Sequence, residues 1–588
     1  MAARAFARVP PLRAKVSIVL VALLALALAL RLGELQIREG PKLARFALRQ
    51  HGHIVETFAK RGAILDRNGG VLAHSLASES IYAVPPDVVD PHGVAVKLAP
   101  LLHKPAANLE AALRDKLSFR WLARKVPHDV AKRVDALQIP GIGTKGEETG
   151  LRFVSSGRLA STVVGFTGTD ENGLDGLEYS LDKVLRGTPG RLRIEADQFN
   201  RAIPFGATQV VERAVPGNTI VTTLDPYLQF EAERLLRDAM KKWRARSATA
   251  LVMDPWTGEL LAVANLPDFD PTRFSAFGSD AWRDRAVSDA YEPGSTFKLI
   301  TAAAALESGK FASDVRFPAR DTLHVGGQTI HNAEDGLMAG GLGSESIEEI
   351  VAFSHNVGAA EIGMATGPTV MYRTIRKFGF GDPTEVELPG ENPGLIAKPA
   401  DWSGSSLATI SFGHGISTTP LALARAYCAI ANGGLLLRPR IVAAILDANG
   451  KLVYRYGTEI ERRAISERTA ATLRGILRTA VLRGTGNPTA QVAGYTTAGK
   501  TGTAQVVENG VYLGGAYIAS FVGMIPAEHP RYLILVKVER PRGSIYGSQV
   551  AAPVFAQLAR AAMFHAGVMP DAGPARLVSP GRSPNGTR

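Results

Sequence analysis

The 588-residue chain is 46% hydrophobic and 21% charged, a balance that supports several packed domains and removes disorder as the default. Its net charge of +12 would suit a phosphate-rich partner, but the basic residues are dispersed except at the N-terminus, so no nucleic acid is expected as a ligand. A single cysteine, Cys428, excludes an intrachain disulfide, a zinc ribbon and an iron–sulfur cage, and the histidines show no metal-ligand spacing; neither metal nor cofactor is expected.

The N-terminus carries Arg4, Arg8, Arg13 and Lys15 with no acid among them, followed at once by the apolar run VSIVLVALLALALAL, residues 16–30. That run is shorter than the ~20 residues a bilayer core requires, but Arg31 can snorkel and Leu32, Gly33 and Leu35 extend the apolar path. A cleaved secretory signal and an uncleaved anchor compete for it. The small-residue site Ala25-Leu26-Ala27 lies inside the run and RLGELQIREG continues as a helix, which favours a transmembrane anchor over 16–36. Residues 1–15 are then cytoplasmic by the positive-inside rule, and the body is exported from the cytoplasm.

Residues 37–215 read as a mixed α+β region with many turns. Within it RGAILDRNGGVLAHS, 61–75, alternates around Asp66-Arg67-Asn68-Gly69 as a β-hairpin does. Pro216-Gly217 and the β-branched run after it set a boundary, and a second domain is expected over 216–570. There SATALVMDPWTGELLAVANL, 247–266, reads as two strands joined by a Pro-Trp-Thr-Gly turn, and helical patterns fill 294–480. Cys428 sits in one of them as a small core side chain. Three β-rich runs, TAGKTGTAQVV, AYIASFVGMIP and RYLILVKVERP, close the domain. Strands at both ends with helices between predict an α/β fold in which one sheet is covered by helices. The tail, 571–588, is rich in Pro, Gly, Ser and Arg and is expected to be disordered.

Three short elements carry chemistry. In YEPGSTFKLI, Ser295 and Lys298 are one helical turn apart, so an amine can reach a hydroxyl that needs a base. Lysine serves as that base only if burial or a neighbouring cation keeps it neutral part of the time. Alone the signal is weak, since Ser180 to Lys183 repeats it on what reads as a solvated helix face. The second element, Ser354-His355-Asn356, follows a capping box at Ser346 and Glu349, and both outer residues can enter one cleft only at a helix end or bend. Ser-x-Asn also recurs at 583–585. The third, Lys500-Thr501-Gly502-Thr503, leads into a strand in which Lys500 and Gly502 share one face and the threonines the other, with Gly502 allowing close approach of another backbone. Their joint order matches the set used by penicillin-binding proteins and class A β-lactamases.

The chain resembles the class B penicillin-binding proteins over nearly its whole exported length. RGAILDRNG is similar to their N-terminal signature, and GLDGLEYSLD, TTLDPYLQ, MDPWTGELLAVANLPDFDP, YEPGSTFK, SFGHGISTTPLALARAYCAIANGG and AGKTGTAQ resemble later blocks in order. The resemblance implies a membrane-anchored, non-catalytic pedestal over 37–215 and a serine β-lactamase-like transpeptidase domain over 216–570. It implies a peptidoglycan D,D-transpeptidase, most like the division-specific type, with the elongation-specific type as nearest rival. By position, Ser295 would be the nucleophile and Lys298 its base, Ser354 with Lys500 the relay to the leaving amine, and Asn356 a holder of Lys298 and the donor peptide. Lys500 would also attract the terminal carboxylate, bound by Thr501 and Thr503, and the N–H groups of Ser295 and Thr503 would form the oxyanion hole. Implied partners are D-Ala-D-Ala stem peptides, β-lactams as inhibitors, the membrane, a separate membrane glycan polymerase and other divisome proteins. The acidic signature of a glycosyltransferase is absent from the N-terminal half.

Other readings remain open at this stage. A D,D-carboxypeptidase or β-lactamase-type hydrolase would share the scaffold, and a non-catalytic division scaffold would need no turnover. His355 and His414 read as structural, and Arg61, Asp66 and Arg67 as members of an interdomain salt-bridge network.

Overall fold

The computed structural model describes residues 11–43, 46, 52–57, 59–146, 150–195, 208–312, 314–332, 343–508 and 510–572. Most of the expected cytoplasmic segment and nearly all of the expected tail lie outside them. Helix α1, Pro11–Gly33, starts before the apolar run because proline fits a first helical turn, and a π-turn, Glu34–Arg38, continues it. The stretch Leu12–Arg38 is 27 residues long, and its most apolar 18 residues have a mean hydropathy of 2.5, long and apolar enough to cross a membrane.

The chain divides into two compact units, residues 1–59 with 188–215, and residues 60–187 with 216–588. The first holds a three-stranded antiparallel sheet, Gly52–Thr57, Gly190–Glu195 and Thr208–Glu212. The second holds everything that follows here.

Within the second unit the hairpin read from RGAILDRNGG forms, with Ile64–Leu65 antiparallel to Val71–Leu76. Asp66 makes its turn by accepting from Asn68 N (2.7 Å) and Gly70 N (2.9 Å). The strand just past the expected boundary, Thr219–Thr222, pairs in parallel with Ile64–Leu65 on one side and antiparallel with Val442–Leu446 on the other. A single six-stranded sheet therefore draws on both sides of residue 215.

In chain order the rest runs α2 (Pro226–Trp243), β1 (Ser247–Met253), β2 (Leu260–Leu266), α3 (Lys298–Glu307), α4 (Ile347–Phe353) and α5 (Asn356–Thr366). It continues with α6 (Pro420–Ala431), α7 (Glu467–Leu482), β3 (Ala498–Glu508), β4 (Val511–Ile525), β5 (Tyr532–Glu539) and α8 (Ala552–His565). The strands form one antiparallel sheet in the order β2-β1-β5-β4-β3. Every residue of β1, β2 and β5 is buried, because both faces are covered. Ala248, Ala250 and Val252 pack with Leu228, Leu235, Leu236 and Leu558 of α2 and α8, while Leu251 and Met253 face the core that holds α3 and α6. Asp225 starts α2 by accepting from Tyr227 N and Leu228 N, and apolar residues at helical spacing do the rest. The helix-covered sheet expected from the sequence is the fold observed, and Cys428 is buried in its core, with Sγ 4.0 Å from Met253 Sδ.

Arg61 departs from the interdomain reading. It is 2% exposed and gives its guanidinium to Glu178 Oε2 (2.8 Å), Asp182 Oδ1 (2.7 Å) and Glu178 O (2.8 Å), while Arg152 holds Glu178 Oε1 at 2.6 Å. All four residues lie within 60–187, so this is an internal clamp. Arg67 alone crosses toward β2, with its guanidinium 3.7 Å from Glu259. Removing one partner from a buried ionic cluster leaves uncompensated charge, at a cost of about 3–5 kcal/mol. Arg61→Ala should therefore lower the unfolding free energy read from urea titration by that margin, and an unchanged value would show the clamp to be dispensable.

Candidate active site

Ser295 sits on a tight turn rather than inside an α-helix. Gly294 has φ +54°, a conformation that side chains disfavour, and Gly294–Phe297 then forms one 3-10 turn that runs into α3 at Lys298. In a 3-10 turn residues i and i+3 eclipse, and the Lys298 N–H that closes this one donates to Ser295 O. The turn is held from three sides. Thr296 Oγ1 donates to Pro293 O (2.7 Å), Tyr427 OH of α6 donates to Thr296 O (2.7 Å), and Gly294 N donates to Gly413 O (3.1 Å).

The second element is made by a helix break. The capping box that starts α4 is complete, with Glu349 N donating to Ser346 Oγ and Ser346 N to Glu349 Oε2. Ser354 ends the helix at φ +68°, and Asn356 opens α5 two residues later. Two residues that a continuous helix would splay apart thereby meet one amine: Lys298 Nζ donates to Ser354 O, to Ser354 Oγ at 3.2 Å and to Asn356 Oδ1 at 2.7 Å. Asn356 is oriented in turn by donating to His331 O (3.0 Å), while Asn332 Oδ1 accepts from Asn356 N (2.8 Å) and Val357 N (3.1 Å) at the start of α5. His355 bonds Glu345 through Nδ1 and stacks on Phe353, as a structural residue does.

The third element is β3, the edge strand of the sheet. Thr501, Thr503 and Gln505 line the cavity, and Lys500 and Gly502 take the other face, as the alternation requires. A Cβ on Gly502 would lie 2.4 Å from Ser520 Oγ and 2.9 Å from Thr296 Cγ2, so glycine is what lets the Ser295 turn dock against the strand. A Cβ on Gly294 would lie 2.8 Å from Thr503 O, which puts that carbonyl on the turn side of β3. In an antiparallel strand a residue's N–H and C=O point the same way, so the Thr503 N–H also faces the Ser295 turn. Lys500, fully buried, curls back under the strand: its Nζ donates to Thr501 O (3.2 Å), Thr501 Oγ1 (3.3 Å) and Thr485 Oγ1 (3.3 Å).

These elements converge on a cavity of about 710 Å³ lined by Ser295, Ser354, Asn356, Thr501 and Thr503. Burial holds the Lys298 amine well below its ordinary pKa, the nearby Lys500 charge pushes it the same way, and Glu345 opposes both. Burial alone brings Lys500 down to about 7. An amine so placed can accept a proton near neutral pH, which is what a serine nucleophile requires. His414 also lines the cavity, but burial first and the Lys298 charge second take it down to about 4, leaving it a neutral ring beside Phe412 and 3.9 Å from Glu292. Sequence reasoning missed Asn332, Glu345 and Thr485. Only the last carries a local signal, the Gly484-Thr485-Gly486 turn.

A helix-covered antiparallel sheet with a Ser-x-x-Lys turn docked on its edge strand is the architecture of the penicillin-interacting serine enzymes. Residues 248–560 match the family model described as the penicillin binding protein transpeptidase domain, and residues 56–222 match the penicillin-binding protein dimerisation domain. Stage V sporulation protein D of Bacillus subtilis is 34% identical over 92% of this chain and 83% of its own length. Peptidoglycan D,D-transpeptidase FtsI of Escherichia coli is 32% identical over 94% of this chain and 91% of its own. The crystal structure of penicillin binding protein 3 from Mycobacterium tuberculosis complexed with aztreonam superposes with a TM-score of 0.68 at 31% identity, covering 88% of this chain and 98% of that one. The chain belongs to the class B penicillin-binding proteins, and its catalytic region is a transpeptidase domain.

The depressed lysine has a consequence for stability. Lys500 binds its proton with a pKa of about 7 when folded and of 10.5 by its ordinary value, so between those limits the unfolded chain holds a proton that the folded one lacks. Stability should therefore rise with pH across that window, by up to about 1.4 kcal/mol per pH unit for each such lysine. Lys500→Met should flatten the slope by one proton's share while Lys298 keeps its own, as urea unfolding at pH 7, 8.5 and 10 would read.

Proposed function

We propose that this protein crosslinks peptidoglycan stem peptides through an acyl-enzyme on Ser295, and that it does so at the division septum. The observation that carries the reading is the placement of Lys298, 1% exposed and bonded to both Ser354 and Asn356, which line one cavity with Ser295.

In this scheme the Ser295 hydroxyl attacks the carbonyl of the penultimate D-Ala and gives its proton to neutral Lys298. The developing oxyanion would lie between the backbone N–H groups of Ser295 and Thr503. Collapse breaks the amide bond, and the departing D-Ala nitrogen takes a proton passed along from Lys298 through Ser354, with Lys500 adding positive charge nearby. Asn356 keeps Lys298 in register and bonds the donor peptide. Thr501 and Thr503 receive the terminal carboxylate, and Gly502 allows the closeness of turn and strand. The amine of a neighbouring stem then attacks the ester, restoring the Ser295 hydroxyl and forming the crosslink. A β-lactam would enter by the same first step and remain as a stable ester. Helix α1 would anchor the chain in the cytoplasmic membrane with the catalytic region in the periplasm, within reach of a glycan polymerase.

Ser295→Ala should retain the fold, lose covalent labelling by a fluorescent penicillin and form no crosslinked dimer from donor and acceptor stems; crosslinked product from that variant would end the proposal. D-Ala release without dimer from the unmodified enzyme would move the assignment to a carboxypeptidase. The septal part rests on the motif resemblance, and a fluorescent fusion in growing cells should form a mid-cell band. Uniform lateral-wall signal would assign the protein to elongation.

A further inference from the structure

Fifteen residues before Lys500, the turn between α7 and β3 brings a hydroxyl into the same cavity. Thr485 Oγ1 lies 2.7 Å from Thr501 Oγ1 and 3.3 Å from Lys500 Nζ. Its backbone N donates to Ala352 O (3.1 Å), in the last turn of α4 two residues before Ser354. The preceding Gly484 has no room for a side chain: a Cβ there would stand 2.1 Å from that same Ala352 oxygen. Thr485 is therefore pinned to the helix that delivers Ser354 while its hydroxyl bonds the strand element that carries Lys500 and Thr501.

The proton count of this cluster leaves two arrangements, because either hydroxyl can donate to the other. In its protonated form Lys500 Nζ has only hydrogens to give, and it donates to both hydroxyls, at 3.3 Å to each. Each hydroxyl thus already accepts one bond, and one hydroxyl proton lies in the short contact between them. If Thr485 supplies that proton, Thr501 Oγ1 accepts twice, from Lys500 and from Thr485, and its own hydrogen has nowhere to go but the cavity that Thr501 lines. An anion arriving there selects that arrangement, because it gains a donor whose oxygen is polarised from behind by a cation.

We infer that Thr485 is a positioning residue that turns the Thr501 hydroxyl outward as a donor to the carboxylate of the incoming peptide or β-lactam. The inference rests on the functional reading above and adds to it a residue that none of the three motifs contains. Thr485 touches no reacting atom and acts through Thr501 and Lys500. Its effect falls on ligands that bear a carboxylate, and on their binding before the acyl transfer rather than on the transfer.

The test compares acylation of the full-length protein by a penicillin and by the methyl ester of the same penicillin, which lacks the charge. Thr485→Val, nearly isosteric, should lower the second-order acylation rate for the penicillin tenfold or more, through a raised half-saturation concentration at a maximal rate changed less than threefold. The ester should be affected less than threefold, so the preference for the free acid collapses. Thr485→Ser, which keeps the hydroxyl, should restore that preference. Thr485→Ala reads the same loss should the valine variant unfold. Folded variants without the hydroxyl that keep the wild-type preference would overturn the role of Thr485 while leaving the transpeptidase reading intact. Equal losses with acid and ester, or a loss confined to the maximal rate, would overturn it as well. Wild-type protein that penicillin fails to acylate would overturn both.

Discussion

The site depends on keeping two lysines out of water. Lys298 and Lys500 are each at most 1% exposed, and an ammonium group moved into that environment loses hydration that only strong acceptors or loss of its proton can offset. The chain supplies both remedies. Each amine has three acceptors, main-chain carbonyl and side-chain oxygens in both cases, and burial lowers the proton affinity of each, that of Lys500 to about 7. A group balanced between these pressures can pass a proton in either direction with little change in free energy, and acyl transfer asks for that twice, once in each half-reaction.

The surrounding architecture can be read as the means of meeting this demand. The Ser295 turn needs an open space on the edge strand, which Gly502 leaves, and a left-handed start, which Gly294 allows. The Ser354 segment needs a helix that stops, and the positive φ of Ser354 stops it. The acidic neighbour Glu345 restrains the fall in Lys298 basicity, and its bond to His355 gives the middle residue of Ser-His-Asn a partner of its own.

Much of this was legible in the sequence because it was local. The hairpin at Asp66-Arg67-Asn68-Gly69, the paired strands around Pro255-Trp256-Thr257-Gly258 and the capping box at Ser346 are each set by residues within a few positions of one another, and each forms as the pattern requires. The side-chain alternation of Lys500 to Thr503 follows from strand geometry alone. The misreadings concern contacts that no local pattern encodes. Arg61 was assigned to an interdomain network, but its partners Glu178 and Asp182 lie more than a hundred residues away inside its own region. Asn332 and Thr485 entered the site from loops whose composition says only that the chain turns there. The 3-10 start of α3 was invisible because its sequence suits either helix; Tyr427 and Gly413, distant in the chain, hold the tighter form.

The strand Thr219–Thr222 has Ile64–Leu65 hydrogen-bonded along one edge and Val442–Leu446 along the other. Separating the hairpin region from the catalytic region would mean tearing rungs out of a ladder, whereas two domains touching only through side chains could roll or slide. Torque applied to residues 60–187 by anything that grips them would accordingly be transmitted through main-chain bonds into the body that carries Ser295. Mechanically, residues 60–187 are a lever welded to the enzyme rather than a plinth on which it stands.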